Sequence, residues 1–435
     1  MSVMDRLQSS FDFDDLDRAI RSHAESAVGF LEALISIESV VGAEQAALDL
    51  FATEAASVGL VVEKLPFLTG PDSDPQAGVS QRLPEPVADR FQVLASTQGQ
   101  GPLWLLLNGH MDVVPATQAD LWTFGPFNPT RRDGRLYGRG AADMKCGFAV
   151  GLLALKALGE TAPDLFAHRR LGFIAVIEEE CTGNGTLQSI RDHGIVVPEI
   201  VVLESTGLGL MTGGVGVLWL DMDVLGQAGH AHSAIAGTNA IDLAMRLVQG
   251  LRDWASDLQR RAPEPGLSGN SNPYAVNIGK LTAGDWVSTM PPVAHLGVRV
   301  GFPRFWSPDR AEAEVAAAIA AIVKGDPAFR VAPTVRSSGL RAQGYRLDGD
   351  SVLVRDLSAA HRDAHGVDPD VYMMGSTMDA RHYLNVANRA AVCFGATGHD
   401  LHGVDESVDL QSIEDAARTL ARFILMRFDA PEEVA

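Results

Sequence analysis

Cysteine is scarce and scattered: Cys146, Cys181 and Cys393 are the only three, and no two form a CxxC pair. That argues against a disulfide framework and a cysteine-built zinc site, and it suits a reducing compartment. Positive charge is also short, with 35 Lys and Arg against 55 Asp and Glu, a formal net charge of −20. So acidic a chain is a poor partner for a nucleic-acid backbone or an anionic membrane. No run approaches the ~18 consecutive apolar residues of a membrane span, so no membrane partner is expected. The first twenty residues show no basic stretch followed by an apolar one, so no secretory signal is expected and a cytoplasmic location is. What remains is ordinary globular composition, 46% hydrophobic and 21% charged over 435 residues. At roughly 100–200 residues per domain, that length accommodates two to four domains.

Apolar residues recur at three- and four-residue spacing over 16–58 with a break before 46, predicting two helices. Short apolar runs at 60–62, 91–94, 103–107, 171–177 and 199–203 read as strands. They alternate with helical segments at 148–158 and 186–192, which predicts an α/β fold with a central, mostly parallel sheet. Residues 69–90 are rich in Pro, Gly and Asp and read as a surface loop. After Gly213 the texture changes. A strand at 215–225, a helix at 240–258, strands at 274–281 and 294–300, a helix at 309–324 and a strand at 329–335 spell β-α-β-β-α-β, the ferredoxin-like unit. The expected organisation is a catalytic domain in two parts, 1–212 and 338–435, interrupted by an inserted domain at 213–337, with 262–273 as a loop inside it.

The chemistry-bearing residues cluster where strands end. The run at 103–107 leads into Asn108-Gly109-His110-Met111-Asp112, and i, i+2 spacing in extended chain puts Asp112 on the face of His110. A carboxylate that holds one imidazole nitrogen leaves the other free for a metal. Asp143 stands at the start of the helical segment after the glycines at 138 and 140, where an N-cap is the simplest reading. Residues 171–177 deliver Glu178-Glu179-Glu180, and 200–203 end at Glu204. Acids packed at the mouth of a buried sheet require neutralisation by protons or by a cation. A further apolar strand at 390–394 precedes His399 and His402. Carboxylates and imidazoles without thiolate suit Zn²⁺, Mn²⁺ or Co²⁺, and five or six candidate ligands favour two metals over one.

The segments GHMDVVP, YGRGAADMKCG, EEECTGNG, LEST and HDLHGVDE, in that order from residue 109 to 406, resemble a dinuclear zinc amidohydrolase family. It includes acetylornithine deacetylase, succinyl-diaminopimelate desuccinylase, aminoacylase and carboxypeptidase G. The resemblance implies a zinc-exopeptidase-like catalytic domain, a lid that usually forms a homodimer, and two Zn²⁺ ions that Co²⁺ or Mn²⁺ can replace. It makes His110 and Glu204 ligands of one metal, Glu180 and His402 ligands of the other, and Asp143 the bridge, with a cis peptide after it. His399 is the rival of His402. Asp112 orients His110, and Glu179 is the general base. In the lid, His230 reaches a partner subunit's site, where it steadies the oxyanion. Arg381 binds the substrate carboxylate, and Asn277 is a lid-side substrate contact. The implied reaction is hydrolysis of an N-acyl amino acid. A dipeptidase or carboxypeptidase is the alternative within the class, and a non-catalytic metal-binding relative is the alternative outside it.

Overall fold

The structure is a computed structural model that describes residues 13–68, 74–80, 89–235, 237–267 and 272–428. The expected loops at 69–90 and 262–273 therefore lie partly outside the described residues. A nine-stranded sheet forms the core. Its strands run Val61–Pro66, Phe91–Ser96, Arg170–Val176, Leu103–His110, Glu199–Val202, Ala390–Cys393, Leu210–Gly214 and Tyr345–Arg346, with Val371–Met374 also paired to Leu210–Gly214. The four strands from Arg170–Val176 to Ala390–Cys393 are mutually parallel. Most of the outer pairings are antiparallel, so the sheet is mixed, where a mostly parallel one is expected from sequence. Antiparallel strands at the edge of a parallel sheet are common because they need no buried crossover.

The strand Leu103–His110 shows why the centre is buried on both faces. Leu105 and Leu107 enter one apolar cluster and Leu106 another. This is period-two alternation with no polar side. The first cluster is closed by the helices Phe13–Ile35, Lys145–Thr161 and Leu410–Phe428, which pack on one another. The second is closed by Asn184–Arg191 and Ala380–Asn385, through Ile190 and Tyr383. Register then does the functional work: His110 is opposite Val176, and Asn108 is opposite Val202. The carboxyl ends of three strands therefore release His110, Glu178–Glu180 and Glu204 side by side.

Between Gly216 and Ala342 the chain builds a second sheet with its own apolar cluster. The strands Gly216–Leu225, Val276–Ala283, Val293–Phe302 and Thr334–Ala342 pair antiparallel, with the two middle elements in sequence at one edge and the centre. The spatial order is second, third, first, fourth, with helices Ala240–Arg261 and Pro308–Gly325 on one face. That is the ferredoxin-like arrangement. Its last strand begins at Thr334, not at 329, because Pro333 lacks the N–H a ladder position needs. Phe329 is instead buried in that cluster. Among the described residues no helix is long and apolar enough to cross a membrane.

Candidate metal centre

His110 closes its strand with its ring buried. Nδ1 lies 2.9 Å from the backbone carbonyl of Asp112, a pure acceptor, so Nδ1 carries the proton and donates. Nε2 faces the other way, 3.1 Å from Asp143 Oδ1 and 3.7 Å from Glu204 Oε1. The expectation that the Asp112 carboxylate holds the ring is replaced by this carbonyl contact. The carboxylate, 3.8 Å from Nδ1, instead accepts the backbone N–H of Glu179 at 3.2 Å and of Glu180 at 3.1 Å. Asp112 thereby fixes the turn that carries the two glutamates. Its burial pushes its own pKa up to about 7.

On the other side of Asp143, His402 Nε2 stands 3.1 Å from Oδ2, and 3.0 Å from Glu180 Oε2. His399 is turned away and meets Asp409 at 3.0 Å. Asp143 thus presents one oxygen to the group His110–Glu204 and the other to the group Glu180–His402, with the ligand atoms of each group within 4.8 Å of one another. The peptide Asp143–Met144 is cis. Glu179, buried beside Glu180, lines the same cavity.

This donor set fits cations. An imidazole nitrogen facing carboxylate oxygens needs a proton or a cation between them. Glu180 Oε1 and Glu204 Oε1 are buried without a hydrogen-bond partner, a costly state unless a cation uses them. Burial raises the proton affinity of Glu179, and it pushes Glu204 up to about 8. Burial alone would depress both histidines, yet the surrounding carboxylates win. They hold His110 well above its ordinary value and push His402 to about 11. Packed acids and imidazoles that compete for protons are the arrangement divalent metals stabilise.

The cavity above the centre has a volume of about 510 Å³ and is roofed by the open face of the second sheet. Asn277 and Arg299 are cross-strand partners there and both line it. Arg299 donates to the Gly375 carbonyl at 3.1 Å and to Ser376 Oγ at 3.4 Å, and makes no ion pair among the described residues. Burial lowers its pKa. Sequence reasoning misses Arg299. The available signal is that it alternates with Val298 and Val300, which turn into the apolar cluster and leave Arg299 on the opposite face.

Arg381, expected in the substrate site, lies elsewhere. It is 1% exposed and absent from the cavity lining. The helix Ala380–Asn385 turns it under the turn that follows Glu178–Glu180, where Nη2 donates to the Thr182 carbonyl at 3.2 Å. A Cβ on Gly183 (φ +72°) would overlap Nη2, so glycine is required at that close approach. His230 is not brought to the centre of its own chain. It sits in the short strand Gly229–His230, paired with Thr289–Met290, exposed and in edge-to-face contact with the His232 ring at 4.7 Å.

An α/β core carrying this donor set beneath an inserted second sheet is that of a metal-dependent amidohydrolase. The chain belongs to Peptidase family M20/M25/M40, whose profile matches residues 106–426. It is 27% identical over 411 residues to a succinyl-diaminopimelate desuccinylase of Zymomonas mobilis, covering 91% of this chain and 96% of that protein. Over 209 residues it is 34% identical to an acetylornithine deacetylase of Photorhabdus laumondii, covering 48% of this chain and 52% of the other. Its fold matches that of the di-peptidase Dug1p of Saccharomyces cerevisiae, with a TM-score of 0.76 at 14% identity over 97% of this chain and 99% of that one.

Proposed function

We propose that the chain is a two-metal deacylase that hydrolyses N-acyl amino acids. The observation that carries the reading is the division of Asp143, one oxygen to each of two donor groups. His110, Asp143 and Glu204 would hold one cation, and Asp143, Glu180 and His402 the other. Bound there, two Zn²⁺ ions supply Lewis acidity that lowers the pKa of water and polarises the scissile carbonyl; Co²⁺ or Mn²⁺ are the substitutes. Glu179 takes the proton of the attacking water on a carboxylate oxygen and returns it to the leaving amide nitrogen. Its raised proton affinity suits that transfer, a role worth roughly 10²–10⁴-fold. Asp112 keeps Glu179 in place through its backbone N–H.

Arg299, charged and without a carboxylate partner among the described residues, would take the substrate carboxylate, with Asn277 beside it. We assign this role to Arg299 in place of Arg381. Replacing Arg299 by Met is expected to lower kcat/KM for N-acyl amino acids about 10- to 100-fold, mostly through KM, the worth of a charged hydrogen-bonded contact. Carboxamide analogues should react equally poorly with both forms. Equal losses on acid and amide would remove Arg299 from this role.

In this reading the second sheet and its helices, which reach from Gly216 to Ala342 where 213–337 is expected, form a lid between the two parts of the catalytic core. The exposed His230, unused by its own cavity, supports a homodimer in which it would complete the partner's oxyanion site. Three cysteines, all buried and free, support a cytoplasmic location. A dipeptidase with the same centre is the second reading, favoured by the fold shared with Dug1p. A panel of N-acetyl, N-succinyl, N-formyl and dipeptide substrates separates them. Cleavage of acylated amino acids at least tenfold better than dipeptides supports deacylation, and the reverse order replaces it.

A further inference from the structure

Two buried charged groups beside the centre have no part in the reaction above. Arg139 and Glu406 stand 267 residues apart and join through Arg139 Nη1 and Glu406 Oε2 at 2.5 Å, both almost fully buried. The other glutamate oxygen, Oε1, accepts two backbone N–H groups, those of Ala142 and Asp143, each at 2.9 Å. The second guanidinium nitrogen, Nη2, donates to the carbonyls of His402 at 3.2 Å and Gly403 at 3.1 Å. The Trp122 ring covers the guanidinium at 5.1 Å and keeps the pair from water. One ion pair therefore grips both chain segments that deliver Asp143 and His402.

The second segment needs such a grip. Asp400, His402 and Asp405 all have φ between +52° and +61°, the left-handed region that non-glycine residues adopt only when their surroundings hold them there. His110 and Glu204 follow strands of the core sheet, whereas His402 lies on this loop with its side chain about half exposed. Of the two ligand groups, the one containing His402 depends most on contacts from outside the group.

We infer that Arg139 and Glu406 are a positioning pair that sets the affinity of the cation pocket formed by Asp143, Glu180 and His402. Neither residue touches a cation or the substrate. The pair presents a guanidinium and a carboxylate to backbone groups, and so fixes where two ligands point before a metal arrives. The inference rests on the two-metal reading proposed above. The loss of an outer hydrogen-bonding partner typically costs 10- to 100-fold in metal affinity.

The test is Zn²⁺ binding by competition with a chromophoric chelator, on the full chain, alongside thermal unfolding. Glu406→Gln keeps an oxygen for the two N–H groups but turns an amide NH₂ toward Arg139. It is expected to weaken one of two Zn²⁺ equivalents about 10- to 100-fold and the other less than about threefold. Arg139→Met should weaken the same equivalent, and Arg139→Lys, which keeps the charge opposite Glu406, should show a smaller loss than Arg139→Met. Arg422→Met is the control, because Arg422 is equally buried and pairs with Asp17 and Asp363, neither of which belongs to a ligand group. It should lower the unfolding temperature and leave both equivalents unchanged. Wild-type affinity for both equivalents in Glu406→Gln would overturn the inference. So would a loss of affinity that Arg422→Met reproduces at the same unfolding temperature. If the wild type itself binds fewer than two equivalents, the two-metal reading fails and the inference falls with it.

Discussion

Replacing Glu179 by Gln is expected to lower kcat by about 10²- to 10⁴-fold while the protein still binds its metals and KM changes little. The reason is geometric. Glu179 lines the cavity next to Asp143 and Glu180 but belongs to neither ligand group. Gln keeps the size of the side chain and the N–H held by Asp112, and removes only the ability to accept a proton. Steady-state kinetics with elemental analysis of the purified variant check this. A variant that turns over normally, or one that has lost its metal, would place the base elsewhere. Because Glu180 is the immediate neighbour, Glu180→Gln is the matching control, and it should lose metal as well as rate.

Asp143→Ala should have the larger effect, with hydrolysis undetectable and both cation affinities weakened by more than about 100-fold. That exceeds the 10- to 100-fold cost of losing an outer hydrogen-bond partner, because a direct ligand common to both groups disappears. Asp143→Asn sharpens the result. An amide keeps one oxygen, so it can serve one donor group and not both, and one strongly held equivalent is expected to remain. Two strongly held equivalents in Asp143→Ala, measured by chelator competition, would show that the carboxylate is not shared.

Much of the centre was legible because it follows strand ends, and strand ends follow apolar runs. Buried runs that terminate in His110, Glu178–Glu180 and Glu204 need only a parallel register to meet, and the pairing of His110 with Val176 and Asn108 with Val202 provides it. The ferredoxin-like order was legible for the same reason, from alternation and helical periodicity. What escaped depends on direction more than on pattern. Asp112 sits two residues from His110 as expected, but the same spacing serves the backbone carbonyl as well as the carboxylate, and only the fold decides between them. Arg381 falls in a motif with a substrate-site look, yet a one-turn helix swings it beneath Gly183. Arg299 carries only the signal of alternation with Val298 and Val300, which says which face it takes and not what it meets. Its significance comes from the register that sets it beside Asn277 and from the way the second sheet faces the core. His402 could be separated from His399 only once the left-handed loop between Asp400 and Asp405 was in place.

The central claim is that hydrolysis requires two cations sharing Asp143. It is tested most directly by stripping the protein with a chelator and titrating Zn²⁺ back, with hydrolysis of an N-acyl amino acid and bound metal followed together. The account predicts no hydrolysis in the stripped protein, and a return of activity that saturates at two equivalents per chain. Full activity in the stripped protein, or metal binding that never exceeds one equivalent, would contradict it.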